Sequence, residues 1–274
     1  MPVESLSFGD LRIDGASRAG EETWVRVRPP GVVFDVGRGA TQLSGVQDLF
    51  LSHGHLDHAL GLPYVLSLRT VHNSKSTRVY APAAIVDGLE RLIGAAESLE
   101  GAEYDYEIHP LEPGDKISVS RDLGVEAFST DHVVPSLGFH LVRHKQRLKS
   151  EYRGFSGQEL GELRQRGIEI EVPETAAWLS YCGDTGPGVF DLAPEIFESP
   201  VLLIECTFFD EDSRDRARRF GHMHLDDLVA RRAEFKNQEL VLHHTSRRHS
   251  CESLRDLIAA RLDLDGPRVH LFGC

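Results

Sequence analysis

Phe50-Leu51-Ser52-His53-Gly54-His55-Leu56-Asp57-His58 places four ligand-type side chains within six positions, just where an apolar run ends. The run Leu49-Phe50-Leu51 reads as a strand, and the polar string as the turn that leaves it. Such a turn can aim its side chains in convergent directions, which the fixed periods of a straight strand or a single helix do not allow. Neutral imidazole and carboxylate are the ligands that suit zinc and its neighbours. Solvated turns favour Gly, Asn, Asp and Ser over three histidines, so the string predicts a metal site rather than a surface loop.

One turn cannot complete a metal site, and three other strand ends offer ligands. Ser129-Thr130-Asp131-His132 follows the run 125–128, Gly183-Asp184-Thr185 follows 178–181, and His243-His244-Thr245-Ser246 follows 240–242. Each alone has an ordinary reading as a hydrogen-bonded turn or a helix cap. Taken with the first string, the joint pattern is specific.

Further strand-like runs are Val32-Val33-Phe34, Arg78-Val79-Tyr80 and Val201-Leu202-Leu203-Ile204. Helical spacing appears at Leu225, Leu228 and Val229, with Phe235 further on, and at Leu254, Leu257, Ile258 and Leu262 after a candidate N-cap at Ser250. The class is α/β. Between Arg143 and Val172 apolar density falls, charges crowd together and no strand-like run stands out, while strand signals resume at Trp178. The organisation expected is one domain over 1–274 with an inserted arm at 143–172. No tandem repeat is visible.

A chain of 274 residues with 41% hydrophobic and 27% charged residues can bury a core without disulfides, which excludes disordered and collagen-like classes. The net charge of −13 weighs against a partner rich in phosphate. No run approaches the roughly 20 apolar residues of a membrane span. Met1-Pro2-Val3-Glu4 has neither a basic nor an apolar leader region, so a cytoplasmic setting without membrane contact is expected. Cys182, Cys206, Cys251 and Cys274 form no CxxC pair and read as inert thiols, not a disulfide framework. His72, His109, His140, His144 and His270 stand alone and read as structural or surface residues.

With these strings in place the chain resembles the metallo-β-lactamase superfamily over almost its whole length. The resemblance implies an αββα sandwich that collects two metals at one edge of its paired sheets. It assigns His53, His55 and His132 to one metal and Asp57, His58 and His244 to the other, with Asp184 bridging. Seven such ligands suit two divalent ions about 3.5–4 Å apart, an arrangement used for in-line displacement at phosphorus. Zinc is the expected ion, with manganese or iron as alternatives. Water activated there, at a pKa near 7, is the implied nucleophile.

Within that superfamily, Glu205-Cys206-Thr207-Phe208 followed by Gly221-His222 ahead of a helix at 224–235 resembles the tRNase Z family. There His222, oriented by Glu205, would serve the departing 3′ oxygen, and Asp57 would double as ligand and proton acceptor. Gly20-Glu21-Glu22-Thr23, Phe34-Asp35-Val36-Gly37-Arg38 and Gly221-His222-Met223-His224 are similar to the short plant-type form. Ser246 and Arg248 match the family's substrate-contacting string, but Thr245 and His249 stand where the family has aromatic residues. The 143–172 arm resembles the family's tRNA-gripping arm, with Lys149 and Arg153 as candidate contacts. Its first part, 143–153, carries a net +4, whereas 154–172 is acid-rich.

The resemblance thus implies a homodimeric, metal-dependent endoribonuclease that removes 3′ trailers from pre-tRNA. The competing expectation is a hydrolase of a small molecule such as a cyclic phosphodiester, lactone or thioester, favoured by the −13 charge and the altered string after His244. If RNA is the substrate, positive charge must be gathered at the arm and the metal edge.

Overall fold

Runs that are apolar on consecutive residues, such as Val32-Val33-Phe34 and Val201-Leu202-Leu203-Ile204, need two dry faces. The computed structural model, which describes residues 2–262 and 266–274, supplies them. Met1, part of the leader reading above, lies outside the described residues.

The first sheet contains β1 (Glu4–Phe8), β2 (Leu11–Arg18), β3 (Glu22–Arg28), β4 (Val32–Phe34), β5 (Asp48–Phe50), β6 (Thr77–Pro82) and β7 (Tyr106–Leu111), in chain order. The second contains β8 (Lys116–Ser118), β9 (Leu123–Ser129), β10 (Leu137–Leu148), β11 (Glu171–Tyr181), β12 (Val201–Glu205), β13 (Glu239–His243) and β14 (Arg268–Leu271), again in chain order. Each sheet starts as an antiparallel meander and becomes parallel at its fourth strand.

The sheets face each other across one core, in which Phe34 stacks on Phe139 and Tyr181. The opposite face of the first sheet is covered by α1 (Leu56–Ala59), α2 (Leu62–Val71) and α3 (Val86–Glu100). After α4 (Gly157–Gln165), the helices α5 (Val189–Leu192), α7 (Leu225–Ala230) and α8 (Cys251–Arg261) belong to the second sheet's outer layer, and α6 (Arg214–Phe220) precedes α7. Val201 and Leu203 point between the sheets while Leu202 and Ile204 point to the helices, which accounts for the unbroken apolar run. This is the expected αββα sandwich. No helix among the described residues is long and apolar enough to cross a membrane.

Three expectations are corrected. Both ends of 143–172 are strand: β10 and β11 run on beyond the sandwich as a paired ribbon, from Arg143 opposite Ala176 to Leu148 opposite Glu171, with α4 between them at its tip. The ribbon went unread because its outer half has no buried face to impose apolar alternation. Its backbone ladder and exposed pairs such as Arg147–Glu174 hold it instead. The helix expected over 224–235 ends at Ala230 and passes into a short 3-10 turn, Arg232–Glu234. Cys251 and Cys274 are joined as a disulfide, because α8 and β14 return two distant residues to a Cα separation of 5.4 Å. Cys182 and Cys206 are buried free thiols, and burial pushes both well above the usual thiol range.

In β2, Asp14 is 2% exposed and accepts from the Ser5 hydroxyl at 2.6 Å, Arg12 at 3.0 Å, Arg26 at 3.2 Å and Arg28. Burial alone would raise its pKa, but the Ser5, Arg12 and Arg28 contacts outweigh this and hold it near 2 against an ordinary 3.8. A depressed carboxylate contributes stability above its unfolded pKa and loses it as pH falls through the folded value. Asp14→Asn is therefore expected to cost about 2 kcal/mol near neutral pH, and less as the pH drops from 4 towards 2, as read by urea unfolding across that range.

Candidate metal centre

In α/β sheets, groups that bind ligands collect beyond the carboxyl ends of parallel strands, where side chains from several turns converge. Here β4 ends into Asp35, β5 into His53, His55, Asp57 and His58, β9 into His132, β11 into Asp184, β12 at Glu205 and β13 into His244. The ligand atoms of His53, His55, His132 and Asp184 lie within 4.8 Å of one another, as do those of Asp57, His58 and His244. Asp184 joins the groups: its Oδ1 is 3.3 Å from His58 Nε2, and its Oδ2 is 3.4 Å from His244 Nε2 and 3.7 Å from His53 Nε2. All seven residues expected at the centre are thus brought together.

Hydrogen bonds fix which nitrogen of each ring faces inward. His132 Nδ1 can only donate to the Gly221 carbonyl at 2.8 Å, and His58 Nδ1 donates to Asp35 at 2.8 Å. The Ser52 hydroxyl gives its proton to Asp35 and accepts from His53 Nδ1 at 2.9 Å. Thr207 likewise donates to Glu205 and accepts from His244 Nδ1 at 3.0 Å. With neutral rings, all four Nε2 atoms are then bare lone pairs. Two of these lone pairs face each other across the cluster, with His58 Nε2 3.4 Å from His244 Nε2, and His132 Nε2 lies 3.2 Å from His55 Nδ1.

Among the described residues, His53 Nε2 is buried without any hydrogen-bond partner. Burial disfavours charge on His58, yet Asp184 and Asp35 hold its pKa well above the ordinary value. The site therefore carries a negative field and converging bare donors, which divalent cations satisfy. The residues fit a metal centre.

Backbone geometry supports the placement. Asp35 and His244 both have φ of 56°, a left-handed conformation that costs about 1–3 kcal/mol and persists only where the surroundings impose it. The Gly20 N–H donates to Asp57 Oδ2 at 2.8 Å, which gives the Gly20 string a part in holding a ligand.

Beside the cluster, Glu205 is fully buried and accepts from Thr185 N at 2.9 Å, Thr207 at 2.6 Å and His222 Nδ1 at 2.6 Å. His222 lies 3.9 Å from Asp184. Burial lowers its pKa, but Glu205 and then Asp184 more than compensate and raise it to about 9. His224 instead caps α7 through Asp226 N and donates to the Asp210 carbonyl. Ser246 and Arg248 sit on the turn just past His244, whereas Lys149 and Arg153 flank the 3-10 turn Ser150–Tyr152 beyond the end of the ribbon and are not among the clustered residues.

Sequence reasoning left Asp35 and Tyr181 without roles. Tyr181 donates to Asp35 at 2.6 Å from the opposite sheet, and Asp35 fixes His58. A carboxylate directly after a buried strand was the available signal.

The beta-lactamase superfamily domain matches residues 33–245. Over 94% of its length the chain is 32% identical to tRNase Z TRZ1 of Arabidopsis thaliana, covering 93% of that protein. The chain belongs to the tRNase Z family of that superfamily. Chloroplastic tRNase Z TRZ2 of the same plant is 29% identical over 93% of this chain and 73% of that protein, in keeping with the plant-type resemblance of the tRNase Z strings. Among solved folds, the human short-form tRNase Z superposes with a TM-score of 0.60 at 21% identity, over 85% of this chain and 92% of that one. The metallo-beta-lactamase fold protein YhfI of Bacillus subtilis gives 0.64 at 13% identity, over 93% of each chain.

Asp35→Asn should weaken divalent-metal affinity about 10- to 100-fold, the usual effect of losing a partner that orients a ligand. Competition with a chromogenic chelator measures this. Unchanged affinity would remove Asp35 from the account.

Proposed function

We propose that the chain is a metal-dependent endoribonuclease that cuts pre-tRNA at its 3′ trailer. The observation that carries this is the Glu205–His222 pair fixed against Asp184 at the edge of the seven-residue cluster. Relatives named tRNase Z along nearly the whole chain support it.

His53, His55 and His132 would hold one cation and Asp57, His58 and His244 the other, with Asp184 shared. Zinc is the ion proposed, on the strength of an imidazole-rich donor set. Two such ions would supply charge stabilisation at the phosphate and acidify water to a pKa near 7. The protein's own groups do the rest. The Gly20 N–H holds Asp57 Oδ2, leaving this partly exposed carboxylate placed to take a proton. Glu205 keeps the His222 Nδ1 proton engaged, so that Nε2, which makes no hydrogen bond among the described residues, is the atom that can carry a proton to the departing 3′ oxygen. Thr207 ties this acid to the metal edge by touching both Glu205 and His244.

On a pre-tRNA transcript, His222→Ala is expected to lower turnover by about 10²- to 10⁴-fold with metal content intact. Asp184→Ala should abolish cleavage and reduce bound metal. Full cleavage by the Asp184 variant would refute the site. Rapid turnover of a chromogenic phosphodiester with no RNA cleavage at any salt would instead favour a small substrate.

A further inference from the structure

We infer that α6 is a second RNA-binding surface, one that meets backbone phosphates beside the scissile bond. The inference rests on the endoribonuclease reading and names a contact for its substrate. The helix reads Arg214-Asp215-Arg216-Ala217-Arg218-Arg219-Phe220 and runs directly into Gly221-His222. Its charge is segregated along its length. Glu211, Asp212 and Asp215 lie at or before its start, and Arg214 is spent on Asp226. Arg216, Arg218 and Arg219 are exposed, and among the described residues they form no ion pair. Arg218 and Arg219 occupy the last turn, which runs into Gly221-His222, and Arg216 stands one turn before Arg219.

That end is locked to the metal edge. The His222 N–H bonds to the Ala217 carbonyl at 3.0 Å, and the Gly221 carbonyl accepts from His132. Gly221 is left-handed, with φ of 66°, and a Cβ there would sit 3.0 Å from Val133 N and 3.2 Å from His132 Nδ1. The register of α6 against the cluster therefore cannot slide. Three peptide units separate Arg219 from His222, so their Cα atoms are at most about 11 Å apart.

Two of the arginines are also paired with rings. Arg219 lies 5.6 Å from the ring centre of Phe220, which is 44% exposed, and Arg216 lies 5.7 Å from that of Phe208. An exposed arginine beside an exposed ring offers a phosphate contact and a stacking face together, the combination that grips single-stranded nucleic acid. Helix-end compensation alone would favour basic residues in the last turn. It gives no reason for Arg216 one turn earlier or for Phe220 in solvent. His249 Nε2 meets Asp210 Oδ2 at 3.0 Å, which ties the Arg248-bearing turn to the segment that leads into α6. A chain of net −13 thus places unpaired positive charge beside its metal edge.

The test titrates metal-loaded enzyme into a labelled pre-tRNA whose scissile bridging oxygen is replaced by methylene, over a salt series. Cleavage of the ordinary transcript by the wild type is followed in parallel. R216A/R218A/R219A is expected to bind about tenfold or more weakly and to lower the slope of log affinity against log salt by about 2 to 3. R216K/R218K/R219K should restore most of both, with melting temperature and metal content of both variants at wild-type values. Wild-type affinity and slope in the alanine variant would overturn the inference, as would a loss that lysine does not restore. Wild-type binding without cleavage would refute the endoribonuclease reading alone, since the comparison of variants would still decide the role of α6. No wild-type binding at low salt would overturn both.

Discussion

Two carboxylates, Asp184 and Asp35, are buried at the common edge of the two sheets, and the architecture around them answers the cost of putting them there. A buried charge is tolerated only when it is paired and hydrogen-bonded. Asp35 receives the Ser52 N–H and hydroxyl, the Tyr181 hydroxyl and His58 Nδ1, drawing on both sheets. Burial penalises the Asp184 charge, but His244 and His58 hold its pKa well below the ordinary carboxylate range. The demand of these two groups for positive charge gathers the histidines, and the tautomers set by Asp35, Ser52, Thr207 and the Gly221 carbonyl turn that gathering into a set of donors aimed at cations.

The fold makes this possible by repetition. Each sheet begins as a meander and ends as parallel strands, so each delivers several strand ends to one edge. The stacked rings of Phe34, Phe139 and Tyr181 fix the sheets against each other directly beneath that edge. A hydrogen bond as short as that from Tyr181 to Asp35 can be made across the sheets only because the core under it is packed. Catalytic and substrate-facing groups are then hung from the same frame. Glu205 ends a buried strand, and His222 follows a helix held by Gly221. The ribbon of β10 and β11 leaves the second sheet and is free of the core.

Much of this was legible from residues alone, and the parts that were not share a cause. Strands buried on both faces announce themselves as apolar runs, which is why 32–34, 201–204 and 240–242 were readable. The ligand strings were readable because imidazole in a turn has few other uses. The ribbon was not, since an element solvated on both faces carries no hydrophobic period. The Cys251–Cys274 pairing depends on where α8 and β14 meet, which spacing does not encode. His224 belongs to the plant-type string, and its part as the cap of α7 shows only in the structure. The arginines of α6 were invisible to a charge count because Asp210, Glu211, Asp212 and Asp215 cancel them over the same stretch. What reveals them is that Arg214 alone is paired, with Asp226, while Arg216, Arg218 and Arg219 form no ion pair among the described residues.

The net charge of −13 at first counts against RNA, but it is a sum that hides its own arrangement. Positive charge is concentrated on the first part of the ribbon, at the end of α6 and, once cations are bound, at the metal edge. The most direct test of the central claim is to analyse the ends produced when a pre-tRNA is cleaved in heavy-oxygen water. Attack by water on the phosphorus, with the 3′ oxygen departing, predicts a 3′ hydroxyl on the tRNA and the heavy oxygen in the 5′ phosphate of the trailer. A 2′,3′-cyclic phosphate on the tRNA with a 5′ hydroxyl on the trailer would contradict the account.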